Sequence, residues 1–522
     1  MTKTKKNLIL FSFIILKILL QYFLVDQGYD LHRDEYLHLD QSHHLAWGFM
    51  SIPPFTSWVS YLIYILGNSL FWVKFFPALF GALTIAAVWK AVEELNGSLF
   101  ALILSVVCLL FSTLLRVNIL YQPNSFDILS WTVFYFVLIK YFNTEKPKWL
   151  YIAALIFSIG FLNKYNIIFI LIGLVPAILL TPYRKVFIKK EFYFAFILGL
   201  LCILPNLLWQ YNNNFPVIQH LSELKDTQLV NASRLDFLKG QILFFTGSLF
   251  VIIAALYALL VYKPFEKYKT FLFAIIFTLA VFTYFRAKAY YAMGLYPIYI
   301  SFGSAFLGNI LQNGWKKYLQ PVFIIIPILF FIPLYYVIFP NKPPEYIINN
   351  PQKYQKYGLL RWEDGKDYSL PQDFADMLGW QELASKVDSI CSDIPNLSHT
   401  FILCDNYGQA GAINYYTKNK EIRANSYHAA DYINWISLDK KIENAILVKE
   451  TYYDSDRDRQ KEIPLFDTVY LAAQRINQHA REDSISIYVL KGAKTDINKI
   501  VKDEADQRKN YRYIKYGLKT IK

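Results

Sequence analysis

Long runs of apolar residues constrain this chain more than any other feature. An α-helix needs about 20 apolar residues to cross a hydrocarbon core roughly 30 Å thick. Runs of nearly this length recur along the chain, and they contain very few charged residues. We predict eleven membrane spans, at residues 7–25, 71–89, 99–115, 126–141, 149–162, 166–180, 192–209, 237–261, 270–284, 290–310 and 318–339.

The composition agrees with an α-helical polytopic membrane protein. Of the 522 residues, 55% are hydrophobic and 18% are charged, which excludes a disordered chain, a coiled coil and a disulfide scaffold. The four cysteines do not suit a cysteine-based metal cluster, because Cys108 and Cys202 lie in apolar segments. Cys391 and Cys404 lie in a polar region, and whether they form a disulfide is left open by the sequence.

Two features decide how the spans are counted. The first apolar run is 19 residues long and is followed by no small-residue cleavage site, so we interpret it as an uncleaved span rather than a signal peptide. The two runs on either side of Lys164 are short. They form either two spans or one broken helix.

The positive charges predict the orientation. Sixteen lysines and arginines lie in the short turns on the N-terminal side, against seven that lie clearly outside the spans on the opposite side. The positive-inside rule therefore predicts a cytoplasmic N-terminus in the inner membrane and a C-terminal region outside the cytoplasm. It also explains most of the net charge of +13 without nucleic acid as a partner.

The composition changes to that of a soluble domain near residue 340, after the Pro-rich stretch PNKPPE. Apolar residues from Phe374 to Ile390 recur at nearly helical spacing, and short apolar runs at 401–404, 445–448 and 485–490 predict strands. We therefore predict a membrane domain at residues 1–339, which includes an outward loop at 26–70, and a C-terminal α/β domain at 340–522.

The outward loop 26–70 concentrates polar side chains in the stretch HRDEYLHLDQSHH. The adjacent carboxylates Asp34 and Glu35 suit a general base, a cation site or a solvated helix start. The four histidines of this stretch match no tight zinc-ligand spacing, so solvated loop histidines are the better interpretation. The loop continues into an aromatic stretch around Pro53 and Pro54, which predicts a segment lying at the membrane interface.

Further ionisable residues lie at the ends of spans on the same outward side. Asp127 in YQPNSFDILSW is either a functional carboxylate or a favourable charge at a helix N-terminus. Positive residues in GFLNKYN and FRAKAYYAMGLYP break the positive-inside rule locally, and they bind either a phosphate ligand or the lipid head groups. These residues are Lys164, Arg286 and Lys288, with Tyr290 and Tyr291 beside them.

An outward site with carboxylates and cations favours group transfer from an anionic leaving group to a hydroxyl. If the donor is a polyprenyl phosphate sugar, the departing phosphate needs charge stabilisation more than a general acid. The carboxylate then aligns and deprotonates the incoming hydroxyl. Because lysine and arginine can neutralise the phosphate, no metal or other cofactor is obligatory, although the carboxylates are able to bind a divalent cation.

The motifs resemble those of a known family. HRDEYLHL followed by HLAWGFMSIPP is similar to the first extracytoplasmic loop of bacterial glycosyltransferases related to the protein mannosyltransferases and the lipid A aminoarabinose transferases. YQPNSFDILSW, GFLNKYN, KAYYAMGLYP, DFADMLGWQELA and DNYGQAGAINYY follow in the order found in that family. The resemblance extends from Asp30 to about Tyr416 and implies a GT-C fold.

The resemblance also implies an activity, namely inverting transfer from a polyprenyl-linked sugar. Asp34 matches the family's catalytic carboxylate, with Glu35 and Asp127 supporting the substrate geometry. The donor phosphate is assigned to the positive and aromatic residues Lys164, Arg286, Lys288, Tyr290 and Tyr291. We also assign a set of acceptor-loop residues, which comprises His32, Arg33, Pro53 and Pro54.

The expected partners are an undecaprenyl phosphate sugar, a glycan, lipid A or protein acceptor, and the bilayer. A transporter or flippase of lipid-linked saccharides is an alternative, and Lys17 is its clearest candidate charge within a span. A ligase or polymerase that uses a pyrophosphate lipid is another. In DNYGQAG, Gly408 and Gly411 follow an apparent strand, and we expect them to form a tight turn into a helix rather than a nucleotide site.

Overall fold

The computed structural model describes residues 2–419, 421–428 and 430–515, and its first 339 residues are helical. These helices are α1 (Lys3–Gln21), α2 (Arg33–Asp40), α3 (Phe55–Ile65), α4 (Leu70–Glu94), α5 (Leu99–Leu110), α6 (Leu114–Val117), α7 (Pro123–Thr144), α8 (Lys148–Asn163), α9 (Ile168–Leu179), α10 (Lys190–Asn212), α11 (Pro216–Thr227), α12 (Arg234–Leu243), α13 (Leu249–Val261), α14 (Lys269–Tyr284), α15 (Tyr296–Ile310) and α16 (Gln320–Ile338).

Among the described residues, four helical segments are long and apolar enough to cross a membrane, and the number rises to six if each of two bent pairs counts as one span. The four segments are Leu70–Glu94, Pro123–Thr144, Lys190–Asn212 and Gly314–Ile338. One of the bent pairs joins α12 to α13 at an angle of 65° within the single span predicted at 237–261. The membrane character of the helical region agrees with the sequence, and the number of eleven spans stays a prediction.

The predicted span at 99–115 is shorter in the structure because a serine competes for the backbone. The Ser112 hydroxyl donates to the Leu109 carbonyl (2.8 Å) and accepts from the Leu114 amide (3.3 Å). These bonds offer the chain an alternative to the helical pattern. α5 therefore ends at Leu110, and the separate short helix α6 begins at Leu114.

The main hydrophobic core lies between α4, α5, α7, α9, α13, α14 and α15. Its largest fully buried side chains include Trp89, Trp131 and Tyr299. Because buried aromatic side chains remove large apolar areas from their surroundings and pack at high density, they hold these helices in one arrangement.

The C-terminal region contains seven helices and a five-stranded sheet. The helices are α17 (Pro344–Ile348), α18 (Pro351–Gln355), α19 (Gln372–Ala375), α20 (Trp380–Ser392), α21 (Tyr407–Tyr416), α22 (Ala430–Trp435) and α23 (Ile497–Lys515). The strands are β1 (Thr400–Cys404), β2 (Ala424–Ser426), β3 (Asn444–Glu450), β4 (Phe466–Ile476) and β5 (Ser484–Ala493). The sheet order is β2-β1-β3-β5-β4, with β1 parallel to β2 and β3 and the other pairs antiparallel.

The small sheet domain expected from the sequence is present, and the three predicted strands lie within β1, β3 and β5. β4 was not predicted, because it is an edge strand without a regular alternation of buried and exposed residues. The helical pattern that begins at Phe374 is interrupted at Gly379, whose φ of +82° favours glycine. α19 and α20 are therefore separate helices.

A second core joins the first outward loop to the C-terminal sheet. α2 packs against α21, and a Cβ atom on Gly411 would lie 2.7 Å from the Cβ of Tyr36. The expectation of a tight glycine turn is wrong, because Gly408 and Gly411 lie inside α21 and the side chain of Asn406 caps its start. The missing glycine side chain at position 411 instead lets the two helices approach closely.

Asp40 provides a pH-dependent test of this interface. Burial raises the pKa of the Asp40 carboxyl to about 6, although hydrogen bonds from Asn414 (2.7 Å) and Tyr432 (2.6 Å) oppose the shift. Since the folded protein holds this proton more tightly than the unfolded chain, ionisation destabilises the fold as the pH rises through about 6. Asp40→Asn keeps one oxygen for both bonds and carries no charge.

We therefore expect Asp40→Asn to raise the Tm of the detergent-purified protein at pH 8 by about 1–2 °C and by a smaller amount at pH 5, because the stability is lost progressively between the pKa of the unfolded chain and the folded value of about 6. Asp439→Asn, which neutralises an exposed carboxylate of the same region, serves as the control. Scanning calorimetry at both pH values provides the measurement. An equal change at pH 5 and pH 8 would contradict the assignment.

Candidate active site

Asp34 lies in the first turn of α2, and a reciprocal capping arrangement fixes this turn. His32 is the N-cap residue, and its Nδ1 atom accepts from the Asp34 amide (3.2 Å). The Glu35 carboxylate in turn accepts from the His32 amide (2.7 Å). Such a capping box satisfies amides that the helix itself cannot pair, and the helix dipole favours a carboxylate at this end.

The Asp34 carboxylate is accessible, since 38% of its side chain is exposed. One oxygen accepts from the Tyr407 hydroxyl (2.7 Å) and the other from the Gln122 amide (3.2 Å). Burial alone would raise the pKa of this carboxyl, but electrostatic interactions with His32 and Arg33 and the bond from Tyr407 outweigh it and lower the pKa below its usual value. Asp34 is therefore ionised at neutral pH and able to accept a proton.

Glu35 is fully buried and occupied by protein partners. Besides the His32 amide, it accepts from the Tyr121 amide (2.7 Å) and lies 3.3 Å from the Lys74 amine. Lys74 also donates to the Ile119 carbonyl (3.2 Å). The structure thus places Glu35 as a positioning residue that holds the start of α2 against α4 and the loop before α7.

A chain of hydrogen bonds leads from Asp34 to Lys164. The Gln122 side chain donates to Asp34 and accepts from the Asn124 side chain (3.0 Å). Asn124 accepts in turn from the Lys164 amine (2.7 Å). Two amide side chains therefore connect the carboxylate to the amine, and they fix the distance and orientation between the two charged groups.

The Lys164 amine lies near two tyrosine rings. The Lys164 nitrogen lies 5.2 Å from the centroid of the Tyr290 ring and 4.7 Å from that of Tyr291. The Asn166 side chain donates both to the Tyr291 carbonyl (2.9 Å) and to the Asp127 carboxylate (2.9 Å). Asp127 itself is buried, so the structure places it as a support for the segment that carries the tyrosines.

The two other cations predicted to bind the phosphate, Lys288 and Arg286, have different surroundings. Lys288 is largely buried and its amine lies 2.5 Å from the Glu363 carboxylate of the C-terminal region. The charge of Lys288 acts on Lys164, which places the two lysines near each other. Arg286 is exposed, and its φ is +53°.

Three of the four predicted acceptor-loop residues are buried, and the fourth, Arg33, contacts residues of the C-terminal region. The guanidinium of Arg33 lies over the Tyr407 ring at 4.6 Å and 3.9 Å from Asp376, while His32 is buried. Pro53 and Pro54 are also buried. Pro54 precedes α3, and its carbonyl accepts from the Ser57 hydroxyl (2.7 Å).

The histidines and cysteines of the described residues form neither a metal site nor a disulfide. No group of three or more His, Cys, Asp or Glu side chains in residues 2–419, 421–428 and 430–515 is arranged to hold a metal ion. Within the predicted histidine cluster, His38 contacts Gln41 and His44 stacks on Trp435 at 4.3 Å. All four cysteines are free thiols, and both Cys391 and Cys404 are buried.

Several site residues were missed by sequence reasoning. Gln122 and Asn124 flank Pro123 in the motif YQPNSFDILSW, and Tyr407 lies in DNYGQAG, so each had a signal in its motif. Lys74 lies inside a predicted span, where an intramembrane charge is itself a functional signal. Glu363 has no such signal, because its pairing with Lys288 depends on the fold of the C-terminal region.

The chain is similar to known membrane glycosyltransferases in part of its sequence and in its fold. Residues 51–209 match the model of a family described as dolichyl-phosphate-mannose-protein mannosyltransferase. The fold is similar to that of ArnT from Cupriavidus metallidurans bound to undecaprenyl phosphate, with a TM-score of 0.59, 10% identity, and coverage of 93% of this chain and 98% of ArnT. For apo ArnT the TM-score is 0.60, the identity 12% and the coverage 91% and 97%. A search of curated proteins gives no match.

The family match and the shared fold confirm the resemblance inferred from the motifs. They identify a multi-pass membrane protein with the GT-C fold, and the enzyme class predicted from the sequence, a glycosyltransferase, is confirmed with them. The matched segment contains Asp127 and Lys164 and does not reach Asp34 or Lys288. The roles of these residues therefore depend on the geometry of the site.

Tyr407→Phe tests whether the C-terminal region tunes Asp34. Loss of the hydroxyl donor removes stabilisation of the ionised carboxylate, so the pKa of Asp34 rises. Since a general base acts in its ionised form, the base role predicted for Asp34 from the sequence leads us to expect that the acidic limb of the pH profile of kcat/KM moves to higher pH by about one unit. Tyr415→Phe in the same helix is the control, because the Tyr415 ring packs on Tyr36. Identical acidic limbs in Tyr407→Phe and wild type would contradict this role.

Proposed function

We propose that the protein transfers a sugar from a polyprenyl phosphate, most simply undecaprenyl phosphate, to a hydroxyl of a glycan, lipid A or protein acceptor, with inversion at the anomeric carbon. Support comes from the exposed carboxylate of Asp34, the hydrogen-bond chain that connects it to Lys164, and the ArnT fold. The first ArnT structure contains undecaprenyl phosphate. A lipid of this kind fits a site whose cations lie at the ends of apolar helices.

In the proposed reaction, Asp34 accepts the proton of the acceptor hydroxyl. The hydroxyl oxygen forms a bond to the anomeric carbon while the bond from that carbon to the phosphate oxygen breaks. The bonding electron pair passes to the phosphate, which leaves as a polyprenyl monophosphate. Lys164 and Lys288 stabilise the negative charge that develops on this oxygen.

The hydrogen-bond chain from Asp34 to Lys164 carries this proposal. A displacement reaction requires the base and the leaving-group cations to be held at a constant separation on opposite sides of the reacting carbon. Gln122 and Asn124 supply such a connection through two bonds to charged groups and one between neutral amides. The arrangement therefore positions an acceptor and an anionic leaving group together.

The proposal includes the orientation of the protein in the membrane. The N-terminus lies in the cytoplasm and the site opens to the periplasm in the inner membrane, in agreement with the charges of the turns. The membrane domain at residues 1–339 holds the donor. The C-terminal domain at 340–522 lies outside and contributes to the choice of acceptor, since Tyr407 contacts Asp34 directly.

The ligase or polymerase alternative differs in its donor. A pyrophosphate lipid carries a second phosphate, and the site described above offers two lysines and one chain of amides. An assay that supplies each lipid-linked sugar in turn separates the alternatives. Turnover with the monophosphate donor supports the proposal, and turnover with the pyrophosphate donor alone overturns it.

Asp34→Asn is expected to abolish sugar transfer in cells, because asparagine does not act as a base at this position. The variant should still insert in the membrane, since its side chain keeps the shape of the native one. Mass spectrometry of glycolipids and glycoproteins would show the loss of one sugar from one acceptor class. Asp26→Asn, in the same loop, is the matched control, and an unchanged product profile for Asp34→Asn would refute the role of the base.

Gln122→Met tests the hydrogen-bond chain. Methionine has a similar length but cannot connect Asp34 to Asn124, so the carboxylate loses its alignment. We expect kcat to fall by about 10- to 100-fold while the Kd for undecaprenyl phosphate stays within about two-fold of wild type. Steady-state rates and direct lipid binding in detergent provide both values. A reduced affinity with normal kcat would assign Gln122 to donor binding instead.

A further inference from the structure

A β-hairpin-like segment at residues 359–370 projects from the C-terminal region towards the lysines. The Trp362 amide donates to the Lys366 carbonyl (2.8 Å), and the Tyr368 amide donates to the Leu360 carbonyl (2.9 Å). The rings of Trp362 and Tyr368 stack with centroids 3.8 Å apart. These contacts give the segment a defined shape, and Glu363 lies near its turn.

Glu363 is held by groups from three parts of the chain. Its carboxylate contacts the Lys288 amine (2.5 Å) and accepts from the Gln372 side chain (3.3 Å). The backbone amide of Glu363 donates to the side-chain oxygen of Gln372 (2.9 Å). The backbone carbonyl of Glu363 accepts from the side-chain amide of Asn231 (2.9 Å). The carboxylate is thus presented to Lys288 by a built arrangement, although 42% of its side chain is exposed.

The Glu363 carboxylate and the proposed base Asp34 both influence one tyrosine electrostatically. The charges of both Asp34 and Glu363 act on the Tyr290 hydroxyl, and the charge of Lys288 acts on Lys164. Glu363 is therefore an anion within the group of cations and tyrosine rings assigned to the donor phosphate. A phosphate that contacts Lys288 has to compete with this carboxylate.

The proposed chemistry makes such competition useful. A sugar-linked polyprenyl phosphate is a phosphodiester with one negative charge, whereas the released monoester carries about −1.5 to −2 charges at neutral pH. Cations that stabilise the developing charge therefore bind the product more tightly than the substrate. A site with two lysines and no internal anion would release its product slowly.

We propose that Glu363 competes with the lipid phosphate for Lys288 and so promotes release of the polyprenyl monophosphate. The inference rests on the proposed function. The diester donor displaces the carboxylate from Lys288 while it binds, and the carboxylate returns to Lys288 as the monoester leaves. Glu363 takes no proton and forms no bond in the transfer step.

The hairpin offers a matched control. Asp364 is adjacent to Glu363, and its carboxylate accepts from the Tyr368 hydroxyl (2.7 Å) and the Lys366 amide (2.9 Å). Glu363→Gln and Asp364→Asn each remove one negative charge from the same turn. Only the first removes it from Lys288, and its new side-chain oxygen still accepts from Gln372.

The test measures binding of three lipids to the full-length proteins in detergent by native mass spectrometry: undecaprenyl phosphate, its methyl diester and undecaprenol. We expect Glu363→Gln to bind undecaprenyl phosphate about five-fold more tightly than wild type, which is the size expected for loss of one half-exposed competing ion pair. The gain should be smaller for the diester, and undecaprenol should bind equally to all proteins. Asp364→Asn should behave as wild type.

Kinetics provide a second readout that a purely structural role would not change. In Glu363→Gln, the rate of the first turnover should equal that of wild type while the steady-state rate falls and product inhibition increases. Unchanged or weaker binding of undecaprenyl phosphate by Glu363→Gln would overturn the inference and leave the proposed function intact. Wild-type protein that binds undecaprenyl phosphate no better than undecaprenol would overturn the proposed function itself.

Discussion

The buried carboxylate of Glu35 is the interaction on which the site depends. A charge without water is costly unless every oxygen has a partner, and Glu35 is paired with two backbone amides and the Lys74 amine. These partners come from the start of α2, from α4 and from the loop that leads into α7. Asp34 and Gln122, each next to one of the bonded residues, are thereby brought together. Glu35 is fully buried, whereas 38% of the Asp34 side chain next to it is exposed.

Most of the helical region was predictable from the sequence. Apolar runs identified most of the long helices, and the motif around Asp34 singled out a carboxylate that the structure leaves partly exposed. Boundaries were less predictable where a local competitor acts, as at Ser112, whose hydroxyl replaces helical bonds, and at Gly379, whose positive φ separates two helices. Periodicity detects neither effect, because it reports burial and not the pairing of individual backbone groups.

The partners of the site residues were harder to predict because they come from distant parts of the chain. Tyr407 is 373 positions from Asp34 and Glu363 is 75 positions from Lys288. A single sequence contains the residues but not the contact. Asp127 illustrates the converse: its type and location suggested direct chemistry, whereas its bonds to Trp131 and Asn166 give it a supporting role. Residue type indicates which groups are able to react, and packing determines which of them remain accessible.

The core shared by the first outward loop and the C-terminal sheet has a consequence for biogenesis. Ribosomes synthesise α2 early, whereas α21, which packs against it, emerges about 370 residues later. During that interval the helical region can enter the bilayer while the helix that bears Asp34 still lacks the surface that completes its core. The packing of α2 is therefore completed only after α21 has been synthesised. A polypeptide that ends before residue 407 lacks the Tyr407 contact to Asp34.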